Sequence, residues 1–211
     1  MVEQEYMEGL LEAYRKGYDA RYAGLENPPE FKKHYFKRKE PMERVAAVMS
    51  YVTNLVWGGK CRTMLDVGSG RGAFLFPFLD DSSNSSVEVT SIDVLPYRTE
   101  LLELIRDGGF GRLHPLNGDI CTYGAPDNSF DVVTALEVLE HIPDPEAAVR
   151  NMTRMCSGEI VVSVPSKPDD NPEHINLFTY ADLEVMFMKA GCRRVWPVSR
   201  VRNHLVLAAA L

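Results

Sequence analysis

Glu137, Glu140 and His141 stand three and four residues apart in ALEVLEHIPDP, residues 135–145. Two carboxylates and an imidazole at that spacing can do three different things. Brought onto one face, they could hold a divalent ion, since carboxylate oxygens with an imidazole suit Mg²⁺, Mn²⁺ or similar metals. His141 could instead act alone as a general base or contact beside a substrate. Or the stretch could be a structural turn, with Glu140 capping or pairing and His141 packed. Pro143 and Pro145 forbid one continuous helix from residue 135 onward, so helical spacing can hold only over a short turn at 137–141. His174, in NPEHINLF, is a candidate fourth ligand if the strands preceding it and the turn end at one crevice.

A second constellation is LDVGSGRG, residues 65–72. Gly68, Gly70 and Gly72 allow a tight turn and a close approach of backbone to a ligand. A helix that starts there would turn its N-terminus toward the same space and favour a negative group. Asp93 follows 21 residues after Gly72, where an acid can accept both hydroxyls of an adenosine ribose. Read with Ala73, GSGRGA also satisfies the dinucleotide pattern, so an NAD-dependent dehydrogenase competes. The bland alternatives are a glycine turn without ligand and an Asp93 that caps a helix.

The third is FKKHYFKRK, residues 31–39, with five Lys/Arg and no acid. Phe31, Tyr35 and Phe36 interleaved with cations suit stacking on RNA bases and contact with phosphates. The same composition suits a solvated face balanced by Glu26, Glu30, Glu40 and Glu43, or contact with an anionic small acceptor.

The elements that must position these residues follow from periodicity. Residues 1–57 read as helical: YMEGLLEAYRKGYDARY puts Leu10, Tyr14, Tyr18 and Tyr22 on one face, Asn27-Pro28-Pro29 breaks the pattern, and Pro41 opens a second helix that ends at Gly58-Gly59. Strand runs then alternate with helices. CRTMLDV (61–67), VEVTSID (87–93), LHPLNGD (113–119), SFDVVTALEV (129–138) and GEIVVSVPS (158–166) read as strands. Helices are expected after the glycine loop, in PYRTELLELIRDGGF, from Asp144-Pro145 onward with Asp144 as N-cap, and in TYADLEVMFMKAG, closed by Gly191. CRRVWPV and NHLVLAAAL can pair as a final hairpin. The alternation predicts a mostly parallel sheet covered on both faces, with one antiparallel strand at the C-terminal end. The 1–57 helices are expected to be a cap on a core of residues 58–211, within one domain.

Composition narrows the function classes. The chain has 211 residues, 45% of them hydrophobic, and a formal net charge of −7. A folded domain is expected, and wholesale non-specific nucleic-acid binding is disfavoured. The four cysteines, Cys61, Cys121, Cys156 and Cys192, form no CxxC pair, so neither a zinc ribbon nor a redox motif is suggested. A reduced cytoplasmic setting without membrane insertion is expected: there is no secretory pattern at the start, and LVLAAAL (205–211) is too short to span a bilayer.

LDVGSGRG, Asp93, NGDI (117–120), SFDVVTALEVLEHIPDP and EHINLFTYADLEVMFMKAGC (173–192), in that order, resemble the class I S-adenosylmethionine-dependent methyltransferases over about residues 60–211. The resemblance implies a Rossmann-like, seven-stranded α/β sheet and methyl transfer. It implies that Asp66 and the backbone of Gly68, Ser69 and Gly70 meet the methionine end of S-adenosylmethionine, with Gly72 completing the loop. Asp93 would hold the ribose, Asp119 and Ile120 would meet the adenine, and Leu136 and Glu137 would lie beside the sulfonium. Asp119 also reads as a plain turn residue. A dehydrogenase would need a catalytic site, and the one YxxxK match, Tyr35 to Lys39, lies before the first strand.

The EVLEH turn is similar to that of ubiquinone-pathway O-methyltransferases, which implies a divalent ion. Glu137, Glu140, His141 and His174 match the ligand order of Hen1-type RNA methyltransferases, although Ile142 stands where that group has a second histidine. The membrane-associated insertion of the ubiquinone group is missing between Pro165 and His174. The expected acceptor is a hydroxyl on a small molecule, with RNA and a cofactor-binding protein without turnover as alternatives.

Overall fold

The computed structural model describes residues 5–211; the part of the expected helical segment at 1–4 lies outside the described residues. β1 (Thr63–Val67), β2 (Glu88–Asp93), β3 (Leu113–Asn117), β4 (Phe130–Leu136), β5 (Cys156–Pro165), β6 (Arg194–Val201) and β7 (His204–Ala210) form one sheet in the order β3-β2-β1-β4-β5-β7-β6. The first five strands pair in parallel, and β7 runs antiparallel to both β5 and β6. This is the expected mostly parallel α/β sheet, and its chain order reverses between β1 and β4. A crevice opens there, at the C-terminal ends of the strands.

The central strands are apolar on both sides because both faces are covered. One face packs under α1 (Glu8–Tyr22), α2 (Glu43–Trp57), α3 (Leu75–Asp80) and α4 (Pro96–Asp107), with Leu10, Phe36, Val48, Phe78 and Ile105 among its buried residues. The other packs under α5 (Pro145–Met155) and α6 (Tyr180–Ala190), around Val133, Val149, Met152 and Phe187.

Several expected boundaries are drawn by local chemistry. The Asp144 carboxylate accepts the Ala147 N–H at 2.9 Å and starts α5. Gly191, at φ 114°, closes α6, which begins with a reciprocal Thr179/Asp182 capping box. Several boundaries differ from the sequence reading; the third strand, for one, ends at Asn117 rather than 119. The fourth strand stops at Leu136 rather than 138, because Glu137 takes a left-handed backbone at φ 58°. α5 runs into β5 without a loop, so that strand begins at Cys156. The helix after the glycine loop has six residues only.

α1 is docked backbone to backbone on α4. A Cβ on Gly17 would sit 1.9 Å from the Leu104 carbonyl oxygen, and one on Gly108 1.7 Å from that of Ala13. Arg21 adds ion pairs to Glu103 at 3.0 Å and Asp107 at 2.9 Å.

Candidate active site

β1 delivers the glycine loop to the crevice. Gly68, Gly70 and Gly72 all have positive φ, between 57° and 74°. Gly68 and Gly72 are also hemmed in. A Cβ would fall 2.8 Å from a Val138 methyl at the first and 2.4 Å from the Phe76 ring at the second. At Gly70 the nearest atoms would be 3.7 Å away. Its backbone therefore borders open space, as a ligand cradle requires.

Asp66, one residue before the end of β1, is buried. Its Oδ1 accepts the Thr134 hydroxyl at 2.7 Å, whereas among the described residues Oδ2 has no partner. Burial pushes the Asp66 carboxyl up to about 6, against the pull of the neighbouring Thr134 and Ser69 hydroxyls. A buried carboxylate oxygen without a donor costs free energy, which a cationic partner would offset. The Ser69 hydroxyl is itself bonded to that of Ser91.

Asp93 ends β2, buried beside the loop. Oδ1 accepts the Leu95 N–H at 2.9 Å, and Oδ2 lies 3.4 Å from the Gly70 nitrogen and 3.9 Å from Arg98 Nε. One oxygen thus shapes the turn into α4 while the other faces the glycine loop. Asp119 is exposed and accepts the Cys121 N–H at 2.8 Å, a turn-forming contact; Ile120 next to it is buried.

At the end of β4 the expected set of four divides. Glu140, His141 and His174 each offer one ligand atom within 4.8 Å of the others. The three are brought together because residues 173–176 are laced onto the turn: Ile175 and Asn176 N–H groups both donate to the Glu140 carbonyl, at 2.9 and 3.1 Å, and Asn176 Nδ2 reaches the Ile142 carbonyl at 2.8 Å. The two imidazole rings stand 4.7 Å apart, edge to face.

The tautomers follow from the outer partners. His141 donates Nδ1–H to the Glu173 carbonyl at 2.9 Å, and His174 donates Nδ1–H to Asp169 at 2.9 Å. Both Nε2 lone pairs are then left free, the usual arrangement of metal-binding histidines. Glu140 has no exposed surface, and neither of its carboxylate oxygens has a hydrogen-bond partner among the described residues. Burial pushes its carboxyl up to about 8. That group needs a proton or a cation.

Glu137 does not join them. The short 3-10 turn starts at Leu139, so helical periodicity does not yet apply at 137. Its carboxylate is taken from another side: Ser163 Oγ–H donates at 2.7 Å, Arg44 Nε lies at 3.4 Å, and His204 Nε2 at 3.2 Å. Sequence reasoning missed Arg44, Ser163 and His204, which come from α2, β5 and β7. No local motif marks them.

In the basic stretch, Phe36 is fully buried and packs against Phe76 and Tyr14, and Phe31 stacks on Tyr14 at 4.7 Å. Both rings are used inside the protein, while Lys32, Lys33, Arg38 and Lys39 stay exposed. Among the described residues, no helix is long and apolar enough to cross a membrane.

Residues 65–159 match the family described as "Methyltransferase domain". The chain is 29% identical over 127 residues to the ubiquinone biosynthesis O-methyltransferase of Alkalilimnicola ehrlichii, covering 54% of this chain and 46% of that protein. It is 28% identical over 148 residues to the sterol 24-C-methyltransferase erg6 of Aspergillus fumigatus, covering 66% of this chain and 38% of that one. The chain thus spans less than half the length of these curated relatives. Among solved structures, the N-terminal domain of EvdMO1, crystallised in the presence of SAH and D-fucose, superposes with a TM-score of 0.62 at 14% identity, covering 94% of this chain and 95% of that one. At that identity the likeness shows the fold.

Proposed function

Because the chain carries a class I S-adenosylmethionine-dependent methyltransferase domain, we propose that it transfers the methyl group of S-adenosylmethionine to a hydroxyl of a small molecule. The observation that carries this is the cradle at the sheet's reversal point: open backbone at Gly70, with unpartnered Asp66 Oδ2 and buried Asp93 on neighbouring strands. Bound there, the cofactor would supply a methyl group already electrophilic on its sulfonium. The chain's own task is to align and to exclude water. Asp66 offers its free oxygen to the amino end of the methionine, Asp93 its loop-facing oxygen to the ribose, and Asp119 and Ile120 flank the adenine. Leu136 and Glu137 border the sulfonium, where Arg44 and His204 fix the carboxylate.

The acceptor atom rests on separate support. The oxygen chemistry named for the ubiquinone enzymes favours a hydroxyl; the carbon chemistry named for the sterol enzyme is the competing case. His141 stands at the mouth of the same crevice as a candidate base. The Glu140, His141 and His174 donors fit a divalent ion, given two free Nε2 atoms and an orphaned buried carboxylate. Two imidazoles with one carboxylate suit Mn²⁺ better than Mg²⁺. Such an ion would lower the proton affinity of an acceptor hydroxyl.

Calorimetry of the chain with S-adenosylmethionine and with NAD tests the cofactor, and product analysis over a panel of hydroxylated acceptors tests turnover. Tighter NAD binding would overturn the reading. Cofactor binding with no methylated product from any acceptor would favour a binding protein without turnover.

A further inference from the structure

α6 is apolar on two opposite sides. Leu183 and Phe187 face the core and are buried. At the helical pitch, Ala181, Val185 and Met188 fall on the reverse side. All three are exposed there, Val185 at 51% and Met188 at 47%. A surface helix ordinarily turns its apolar stripe inward and polar residues to water. Packing on the sheet accounts for one stripe of α6 and leaves the other unused. Single apolar side chains on a surface need no explanation. These three lie in one line, at spacings of four and three residues, which is the seam of a two-helix contact.

The flanks of that seam carry opposite charges. Glu184 borders it on one side and Lys189 on the other. The Tyr180 hydroxyl reaches one oxygen of Glu184 at 3.4 Å, and Lys189 makes no ion pair among the described residues. In a heptad, Val185 takes position a, Ala181 and Met188 take d, Glu184 takes g and Lys189 takes e. Where two such helices run parallel, g of one meets e of the other five residues on. Glu184 of each copy then meets Lys189 of the other, once on each rim. An antiparallel pair would set Glu184 against Glu184 and Lys189 against Lys189. The β-branched Val185 at a also favours a two-stranded contact.

We propose that the chain pairs with a second copy of itself through α6. The two helices run parallel about a two-fold axis, with Val185 and Met188 in the seam and Glu184–Lys189 pairs on both rims. The seam is short, and it buries well under the roughly 800 Å² per partner of a stable interface. The dimer is therefore a weak one, forming at about 10–100 μM. This goes beyond the methyltransferase reading and does not rest on it.

Sedimentation equilibrium of the full chain from about 1 to 500 μM tests the pairing across the expected dissociation constant. The parent should pass from monomer to dimer over that range. Val185→Glu/Met188→Glu should stay monomeric throughout and keep the parental thermal midpoint when dilute, since both positions are exposed. Glu184→Lys turns two attractions into two repulsions and should weaken the dimer about tenfold. Glu184→Lys/Lys189→Glu restores opposite charges across the seam and should return the parental dissociation constant. That rescue separates pairing from any harm the single change does to α6. A parent that is monomeric at every concentration overturns the proposal, as does a dimer indifferent to Val185→Glu/Met188→Glu. A dimer indifferent to Glu184→Lys overturns the parallel arrangement. A monomeric chain that sediments with phosphatidylcholine vesicles, and stops doing so in Val185→Glu/Met188→Glu, would give the face to a lipid surface instead.

Discussion

Arg44 on α2 reaches Glu137 at the mouth of β4, Nε to Oε1 at 3.4 Å, across from His204 Nε2 at 3.2 Å. A residue of the amino-terminal cap therefore holds the side chain expected beside the reacting methyl. Glu137 needs holding: its backbone sits at φ 58°, a strained region for a residue with a Cβ. Arg44→Ala should loosen the carboxylate and lower kcat/KM about tenfold, in line with roughly 1.5–3 kcal/mol for a hydrogen bond to a charged group, discounted for partial exposure. Arg44→Lys, which keeps the charge but not the planar donor, should recover part of it. Steady-state kinetics of both variants check this; an Arg44→Ala enzyme with parental kcat/KM would leave Arg44 out of the site.

Added Mn²⁺ should raise the thermal midpoint of the chain, and a chelator should reverse the gain. Binding to the folded state alone contributes about 2.7 kcal/mol at a hundredfold excess over Kd. His174→Ala removes one free Nε2 and should abolish the shift, as should Glu140→Gln, whereas Glu137→Gln should leave it intact because that carboxylate belongs to Arg44, Ser163 and His204. Thermal scans of the four proteins with and without metal decide it. A shift that survives His174→Ala would place the ion elsewhere.

The contrast between those two glutamates marks where sequence stops being legible. The glycine loop and Asp93 can be read because a positive-φ turn and a strand-end acid are local requirements, written in adjacent residues. The strand order follows from apolar runs separated by helices. Helical spacing groups Glu137 with Glu140 and His141, but the helical turn begins two residues after it. Its true partners are Arg44, Ser163 and His204, gathered from both ends of the chain by β5–β7 pairing and by α2 packing. In the same way FKKHYFKRK shows its cations plainly and conceals that Phe36 is a core residue and that Phe31, half-buried, packs against the core. Alternation along a short irregular segment does not reveal which side faces in.

Asp66 makes stability depend on pH. Its carboxyl rises to about 6 in the folded chain through burial, so between about pH 4 and 6 the folded state binds more protons than the unfolded one, and stability falls as pH rises across that window. Asp66→Asn keeps an acceptor for Thr134 and removes the charge. Above pH 6 it should be more stable than the parent by up to about 3 kcal/mol, with the gain vanishing toward pH 4. Cofactor affinity should move oppositely. A cationic amino end needs the ionised carboxylate, so parental affinity should drop about tenfold per unit below pH 6, and the variant should bind weakly without that slope. Denaturant curves and calorimetry over pH 4–8 check both; a pH-independent stability difference would assign the effect to packing.

Gly17 and Gly9 lie on the same helix and should respond in opposite directions to alanine. At Gly17 the new Cβ meets the Leu104 carbonyl oxygen at 1.9 Å, and backbone on both sides leaves no flexible atom to yield. α1 must then lift from α4, costing about 3 kcal/mol or more. For a chain of this size that lowers the thermal midpoint by about 6–12 °C. At Gly9 nothing among the described residues lies within 4 Å, so alanine should add about 0.5–1 kcal/mol through helix propensity. Parental stability in Gly17→Ala would show that the two backbones are not held in contact.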